Sequence, residues 1–316
     1  MMIDIFPSIS IIIPCRNEKD FIVKCLDSIF ANDYPAEKRE VLVIDGMSED
    51  GTREVLKKYI ASHPSVKMID NPKKITPSAL NLGIKNAKGE VIIRMDAHAS
   101  YQKDYIKKCL KYLKDYGADN VGGVVKTLPA QNTIVAKAIA ASLSGTFGAG
   151  SSYFRIGAKE PKWVDTVFGG CYKRNVFDRV GFFNENLVRS QDMEFNLRLK
   201  KAGGKILLAP DIISYYYPSE TLGKFFSHNI QDGIWAVLPF KFAKRPLRFR
   251  HYVPLLFFLT LPLSIWFYLH VSLYFSFKIA LEMGDARYFF IMPVVFFARH
   301  FAYGLGSLVG LAKLII

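Results

Sequence analysis

The sequence predicts an α/β protein in which a mostly parallel sheet is flanked by helices and followed by an apolar helical tail. Over the first 125 residues, short runs rich in Ile and Val alternate with segments of helical periodicity. Such alternation is typical of parallel sheets covered by helices on both faces. The tail is predicted because residues 251–277 contain no Lys, Arg, Asp or Glu. As a helix this stretch would extend about 40 Å, more than the ~30 Å of a hydrocarbon core.

Five strands are predicted in the first 130 residues. Each is a short run rich in Ile, Val or Leu with polar or glycine residues at its ends, as buried strands usually are. The runs are SISIII, EVLVID, VKMI, EVIIRMD and ADNVGGVVKT, at residues 8–13, 40–45, 66–69, 90–96 and 118–127.

Helices are predicted between these strands and once more near residue 200. Apolar residues recur three or four positions apart in each segment, and Thr76 followed by Pro77 is a typical helix start. The segments are residues 20–31, 49–61, 76–87, 105–116 and 192–203. By contrast, residues 141–166 are rich in Gly and Ser, so a long loop is predicted there.

The four cysteines, at positions 15, 25, 109 and 171, show no CxxC spacing. This pattern predicts free thiols in a reducing compartment, not a disulfide framework or a zinc site. The N-terminus has no basic region and no small-residue cleavage site, so a signal peptide is not expected.

Positive charge is concentrated late in the chain, whose formal net charge is +14. Residues 221–316 contain ten Lys or Arg and only three Asp or Glu, and five of these cations lie in KFAKRPLRFRH, residues 241–251. Nucleic-acid binding is one interpretation of such a patch. The uncharged stretch that follows favours a membrane instead. The cations just before this stretch predict that residues 1–250 face the cytoplasm, because positive charge next to a span usually stays on that side.

A second apolar stretch covers residues 288–316 and is interrupted by Arg299 and His300. It is interpreted as a kinked span, a re-entrant helix or an interfacial helix. Gly306 and Gly310 form a GxxxG pair, which permits close helix packing. The alternative for the whole tail is a buried helical subdomain.

Polar side chains follow three of the predicted strands. Pro14, Arg16, Asn17 and Glu18 follow the first strand, Asp45 ends the second, and Asp96 and His98 end the fourth. Ligands of open α/β sheets bind outside the carboxyl ends of the strands, so these sets predict a binding site, although single acids also cap turns. No GxGxxG follows the first strand and no GxxxxGK[ST] occurs, so a dinucleotide site or a P-loop is not supported.

A further candidate group lies near residue 190. Gly169 and Gly170 would allow the backbone to approach a ligand closely. Gln191, Asp192 and Glu194 open a predicted helix. Acids in a first helical turn are also favoured by the helix dipole alone, which is the alternative for Asp192.

Together these segments resemble the family 2 glycosyltransferases, which have the GT-A fold. The resemblance extends over about residues 8–215 and rests on SIIIPCRNE, VLVIDGMSEDGT, SALNLGIKNAKGEVIIRMDAHA, FGGCYKRNVFDRVGFFNENL and SQDMEFNLRLKKAGGKI. The sequence is most similar to the succinoglycan-type branch of exopolysaccharide glucosyltransferases, which also has DAH in place of DAD, QD in place of ED, and an apolar tail.

The resemblance implies a role for each matching residue on the donor side. The residues that would line the nucleoside pocket are Pro14, Arg16, Asn17 and Glu18. Asp45 would contact the base or ribose, and Asn81 would lie near the donor.

The resemblance also implies a metal site and a general base. Asp96 and His98 would occupy the D-x-D position and bind Mn²⁺ or Mg²⁺. His228 would be a third ligand or, alternatively, a loop or interface residue. Asp192 would be the general base, with Gln191 in place of the usual Glu. These residue types suit the chemistry, because a divalent cation neutralises a leaving diphosphate and a carboxylate deprotonates the acceptor hydroxyl.

The sequence therefore predicts a membrane-attached, inverting glycosyltransferase with a catalytic domain at residues 1–220, a basic juxtamembrane segment at 221–250 and membrane-associated helices at 251–316. The expected donor is a UDP-hexose and the expected acceptor a lipid-linked glycan at the cytoplasmic face of the cell membrane. A sugar nucleotidyltransferase and a non-enzymatic membrane scaffold are the alternatives, and no nucleic-acid partner is expected.

Overall fold

The computed structural model describes residues 6–218, 221–243 and 249–315. The chain forms two compact units, Met1–Val125 with Gly157–Tyr216, and Lys126–Ile156 with Tyr217–Ile316. These units reflect packing, so the functional boundaries after residues 220 and 250 stay a prediction. The cations Lys244, Arg245 and Arg248 of the predicted basic segment lie outside the described residues.

The sheet contains the five predicted strands and four that were not predicted, of which three are short and the fourth, β9, is the longest strand of the sheet. In chain order the strands are β1 Ile9–Cys15, β2 Arg39–Asp45, β3 Val66–Asp70, β4 Val91–Arg94, β5 Ala99–Tyr101, β6 Asn120–Thr127, β7 Lys162–Trp163, β8 Cys171–Lys173 and β9 Ile206–Tyr216. Their order is β3-β2-β1-β4-β8-β6-β9-β5, and β7 pairs with β9.

Only one half of this sheet is parallel. β1 pairs in parallel with β2 and β4, and β2 pairs in parallel with β3. β8 is antiparallel to β4 and β6, and β9 is antiparallel to β5 and β7. The α/β class is confirmed, and the sheet is mixed because β8 and β9 run antiparallel to their neighbours. β5, β7 and β8 have only two or three residues, too short for a sequence pattern to reveal, and the longer β9 was also not predicted.

The helices cover more of the chain than the pattern predicts. In chain order they are α1 Ile22–Phe30, α2 Thr52–Ser62, α3 Thr76–Asn86, α4 Tyr105–Asp115, α5 Ile134–Ser144, α6 Thr146–Ala149, α7 Tyr153–Ile156, α8 Asn175–Val180, α9 Gln191–Lys201, α10 Leu222–Val237, α11 Pro239–Ala243, α12 Val253–Leu259, α13 Leu261–Met283 and α14 Arg287–Ile315. The loop predicted at 141–166 is wrong in part. It contains α6, α7 and the end of α5, because Ile139 and Leu143 bury an apolar face there.

The core of the first unit lies between the sheet and its helices. Ile11 and Ile13 of β1 and Ile93 of β4 are fully buried, and Leu26 and Ile29 of α1 pack in the same cluster. All four cysteines are buried free thiols, as predicted. This core fixes the carboxyl ends of β1, β2 and β4 beside one another.

The second unit is built around α14. Gly306 and Gly310 allow α10 to pack closely on it, because a Cβ on Gly306 would lie 2.1 Å from the carbonyl oxygen of Ile230. By length and composition, α13 and residues Arg287–Leu314 of α14 are long and apolar enough to cross a membrane. In the most apolar stretch of each, 22% and 44% of the residues are buried inside the protein.

Candidate active site

A cavity of about 170 Å³ opens at the carboxyl ends of β1, β2 and β4. Five of the predicted site residues line it: Pro14, Arg16, Glu18, Asp96 and His98. Because β1 is the central neighbour of both β2 and β4, the residues that follow these strands meet at one edge of the sheet. The structure thus brings polar residues that follow β1 together with those that follow β4.

Arg94, the last residue of β4, holds the carboxylate of Asp96. Its Nε donates to Oδ1 at 2.9 Å and its Nη2 to Oδ2 at 3.4 Å. The two side chains are only 13% and 14% exposed, so this ion pair is largely removed from solvent. Burial alone would lower the pKa of Arg94, but the charges of Asp96 and Asp192 outweigh it and raise that pKa. Arg94 is therefore within electrostatic reach of both predicted functional acids.

The turn between β4 and β5 fixes the backbone of Asp96. Its amide donates to the hydroxyl of Tyr101 at 2.6 Å, and its carbonyl accepts from the amide of Ala99 at 3.1 Å. Ala97 and Ala99 are buried, so only the polar residues of this turn reach the cavity.

His98 pairs with Glu18 across the cavity. Nδ1 of His98 lies 2.8 Å from Oε1 of Glu18, and the His98 ring meets Tyr216 edge-on at 5.3 Å. Burial alone would lower the pKa of His98, but the hydrogen bond and charge of Glu18 and the charge of Asp96 raise it. Glu18, which follows β1, thus orients His98, which follows β4.

Asp45 and Asn17 organise the loops that follow β2 and β1. Asp45 is fully buried, and its carboxylate accepts from the hydroxyl of Ser48 at 2.6 Å and pairs with Arg53. Asn17 has a left-handed backbone (φ 57°), and its side-chain oxygen accepts from the amide of Glu49 at 2.9 Å. Neither lines the cavity, so the nucleoside contacts expected of them stay a prediction.

Asn81 is a structural anchor in this structure. Its side chain exchanges two hydrogen bonds of 2.9 Å with the backbone of Phe183 and donates to Glu185 at 3.0 Å. The amide is therefore fully used in holding this loop on α3. Asn81 does not line the cavity, and its expected position near the donor stays a prediction.

Asp192 lies in the first turn of α9 and is partly exposed. Glu194 of the same turn is buried and paired with Arg198, whose Nε lies 2.6 Å from its carboxylate. Asp192 is thus the acid of this turn that is accessible to solvent. Gly169 and Gly170 approach the backbone of Arg94, where a Cβ on Gly169 would lie 2.8 Å from the Arg94 carbonyl oxygen.

His228 lies on α10 in the second unit, with Nε2 3.6 Å from Oδ2 of Asp232. Within the described ranges, no three His, Cys, Asp or Glu side chains are grouped so that they could hold a metal ion. His228 as a third ligand therefore stays a prediction. Asp96 and His98 are the two candidate ligands that share the cavity.

Four polar residues that were not predicted as site residues also line the cavity: Asn71, Lys74, Thr76 and Arg94. Asn71 follows β3 directly, so the strand-end rule that found Asp45 and Asp96 could have found it. Lys74 has a left-handed backbone, and its carbonyl accepts from Arg16 at 3.3 Å. Arg94 was visible only as a cation at the end of an apolar strand, a pattern that carries little information alone.

Comparisons with known proteins agree on the family. The sequence profile of glycosyl transferase family 2 matches residues 10–181. A dolichyl N-acetyl-α-D-glucosaminyl phosphate 3-β-D-2,3-diacetamido-2,3-dideoxy-β-D-glucuronosyltransferase of Methanococcus voltae is 35% identical over 235 residues, 71% of either chain. The succinoglycan biosynthesis protein ExoA of Rhizobium meliloti is 28% identical over 81% of either chain.

The fold has a similar solved neighbour. The mannosyltransferase PcManGT of Pyrobaculum calidifontis, in complex with GDP-Man and Mn²⁺, superimposes with a TM-score of 0.67 at 20% identity, covering 98% of this chain and 90% of that one. The predicted resemblance and the GT-A fold are both confirmed. The chain belongs to glycosyl transferase family 2 and is a glycosyltransferase.

Proposed function

We propose that this enzyme transfers a hexose from a nucleotide sugar, a UDP-hexose, to a lipid-linked glycan at the cytoplasmic face of the cell membrane, with inversion at the anomeric carbon. One observation carries the proposal: Asp96 and His98 share a cavity with Arg94, whose charge also interacts with Asp192. The acceptor class is supported by the Methanococcus voltae relative, whose name specifies a dolichyl-phosphate-linked sugar.

The metal-ligating side chains of the cavity fit a divalent cation that takes most of its ligands from the substrate. Asp96 supplies a carboxylate and His98 an imidazole, and Glu18 is close enough to His98 to fix its ring. Mg²⁺ is commonly held by one or two carboxylates plus substrate phosphates, and an imidazole suits the softer Mn²⁺ better. Asp96 and His98 would hold this ion, which when bound neutralises charge on the diphosphate.

The protein's own cations serve the same substrate. Arg16, Lys74 and Arg94 line the cavity with the acids Glu18 and Asp96. A diphosphate is strongly anionic, and fixed cations in a partly enclosed site bind it more strongly than the same cations in water. These side chains are expected to bind and orient the diphosphate of the donor.

Asp192 is the proposed general base for the acceptor hydroxyl. It is partly exposed, so an acceptor alcohol can approach it, whereas Glu194 is engaged by Arg198. A carboxylate in this role removes the proton as the hydroxyl attacks, and loss of such a group lowers turnover about 10²–10⁴-fold.

The test compares Asp192→Asn with Asp178→Asn, an exposed acid in the first turn of α8. Full-length protein in detergent is given a panel of nucleotide sugars and a polyprenyl-phosphate-linked acceptor, and released nucleotide is measured. Asp192→Asn is expected to lose turnover by at least about 10²-fold while keeping donor affinity within a few-fold. Near-normal turnover of Asp192→Asn would overturn the base assignment, and release of pyrophosphate from NTP plus sugar phosphate would overturn the transferase reaction.

A further inference from the structure

We infer that the second unit docks on one leaflet of an anionic bilayer as a monotopic body, and that none of its described helices crosses the membrane. The inference deepens the membrane attachment in the proposed function by specifying how the chain meets the lipid. It rests on how α10 and α14 pack together.

α10 and α14 run side by side in the same direction. Three contacts between the helices show this, because the residue numbers rise together along both. Arg299 Nη1 donates to Asn229 Oδ1 at 3.0 Å, Gly306 contacts the carbonyl of Ile230, and Gly310 contacts the carbonyl of Ile234. A Cβ at either glycine would lie within 2.7 Å of that carbonyl oxygen, so the backbones touch. A bilayer crossed by α14 would therefore have to accommodate α10 at the same depth.

α10 is unsuited to that environment. It has 16 residues, about 24 Å of helix, which is less than a ~30 Å hydrocarbon core. The face turned away from α14 is polar and exposed, with Lys224, Ser227, His228 and Gln231. Charged and polar side chains facing lipid at mid-bilayer depth are strongly disfavoured.

The chain order gives a second, independent objection to a crossing. The first turn of α10 contains Phe225, which packs with Tyr288 and Met292 at the start of α14. The other end of α10 leads into Lys241 and the basic segment 241–250. A crossing would therefore put five cations on the opposite side from the chain that precedes Leu222, against the rule that such cations remain cytoplasmic.

The polar residues Arg299 and His300 of α14 have hydrogen-bond partners within the second unit. Arg299 donates to the carbonyl of Gly148 at 2.6 Å, and Nε2 of His300 lies 3.0 Å from the carbonyl of Phe147. These contacts tie α6 to the middle of α14. The helix is thus the core of a helical body, which explains why nearly half of its most apolar stretch is buried.

The lipid-facing surface is supplied mainly by α12, α13 and the start of α14. Its large exposed side chains include Leu259, Leu263, Trp266, Phe267 and Phe290, with exposures of 56–89%. Trp and Phe that follow a strongly basic segment in the sequence are typical of helices that lie in the membrane interface. The excess of cations over acids in residues 221–316 favours an anionic leaflet over a second copy of the same basic surface.

Cysteine labelling tests the topology without requiring catalysis. Burial raises the pKa of the Cys15, Cys25 and Cys171 thiols, and Cys109 is also buried, so the unaltered chain provides the background. Single cysteines are introduced at exposed positions in full-length protein: Ala61→Cys on α2 to report the side of the first unit, Gln231→Cys and Lys241→Cys. A membrane-impermeant maleimide is applied to intact spheroplasts and to inverted vesicles.

The proposal expects all three cysteines to react from the same side of the membrane. A crossing unit predicts a different pattern, with Gln231→Cys protected from both sides and Lys241→Cys reactive only from the side opposite Ala61→Cys. Protection of Gln231→Cys or opposite-side labelling of Lys241→Cys overturns the inference. Neither result depends on whether the donor or acceptor has been identified correctly.

A second measurement tests the lipid-facing surface. Leu263→Glu with Phe267→Glu is expected to lower binding of the full chain to phosphatidylglycerol vesicles about tenfold or more, because both side chains would leave the leaflet. The matched control is Val23→Glu with Ala61→Glu, two exposed apolar positions in the first unit. Thermal midpoints in detergent should be unchanged in both. Equal vesicle binding by the two double variants would overturn the proposed surface.

Discussion

Arg94 is the residue on which the geometry of the candidate site depends most directly. It donates to both carboxylate oxygens of Asp96 and interacts electrostatically with Asp192. A buried carboxylate that loses such a partner retains the full cost of its desolvation. Arg94 is therefore expected to position Asp96, whichever ligand that carboxylate binds.

Arg94→Met should destabilise the protein by about 3 kcal/mol, because it leaves the Asp96 carboxylate buried without its counter-ion. Urea unfolding of detergent-solubilised protein, followed by circular dichroism, measures this change. Adding Asp96→Leu should recover much of the loss, since the unpaired charge is then removed. Equal stability of Arg94→Met and the unaltered protein would show that the pair contributes nothing.

The sequence pattern predicted the cavity residues that follow strands. It did not predict contacts between residues that are far apart in the sequence. Arg16, Glu18, Asp96 and His98 share a cavity because strand ends of one sheet meet at one edge. Asn81, which is expected near the donor, also binds Phe183 and Glu185, and these partners lie more than 100 residues away in the sequence. No local pattern reveals such a contact, so the residue type alone could not distinguish a ligand from an anchor.

At the scale of elements, α3 packs closely against β1 because Gly83 has no side chain. A Cβ there would lie 2.4 Å from Cγ2 of Ile12, which is fully buried in β1. Strand and helix thus meet in contact that no larger residue allows. This packing brings Thr76 and Ala79 of α3 to the cavity wall.

Gly83→Ala should therefore destabilise the protein by about 1–3 kcal/mol, even though alanine is the better helix former. Gly223→Ala in the first turn of α10 is the matched control, because nothing lies within 4 Å of the added methyl group. That variant should be neutral or slightly stabilising. Thermal unfolding of both in parallel decides between a packing effect and a propensity effect, and a stabilised Gly83→Ala would contradict the packing argument.

Strands and helices with clear periodicity were predictable, and their boundaries agree with the structure within a few residues. The segment 141–166 was not, because Gly and Ser favour loops locally while Ile139 and Leu143 bury an apolar helix face in the second unit. Tertiary packing outweighs local propensity there. The short strands β5, β7 and β8 were invisible for the related reason that two or three residues show no period.

At the scale of the whole molecule, the charge distribution could be predicted from the sequence. The packing of α10 on α14, which decides how the charged segment meets a membrane, could not. Ten cations and three acids in residues 221–316 indicate an anionic surface as partner. The hydropathy of α13 and α14 alone suggests spans. Only the contacts of α14 with α10 show that a polar helix face lies at the same depth.

The charge and the exposed apolar surface should contribute separably to membrane binding. At low salt, full-length protein should bind phosphatidylglycerol vesicles more tightly than phosphatidylcholine vesicles, because each basic residue near an anionic surface contributes about 1 kcal/mol. Raising ionic strength to about 1 M shortens the Debye length to about 3 Å and should remove most of this difference. Binding that remains in high salt reports insertion of side chains such as Leu263 and Phe267. Flotation at both salt concentrations measures the two contributions, and equal low-salt binding to neutral and anionic vesicles would contradict the electrostatic one.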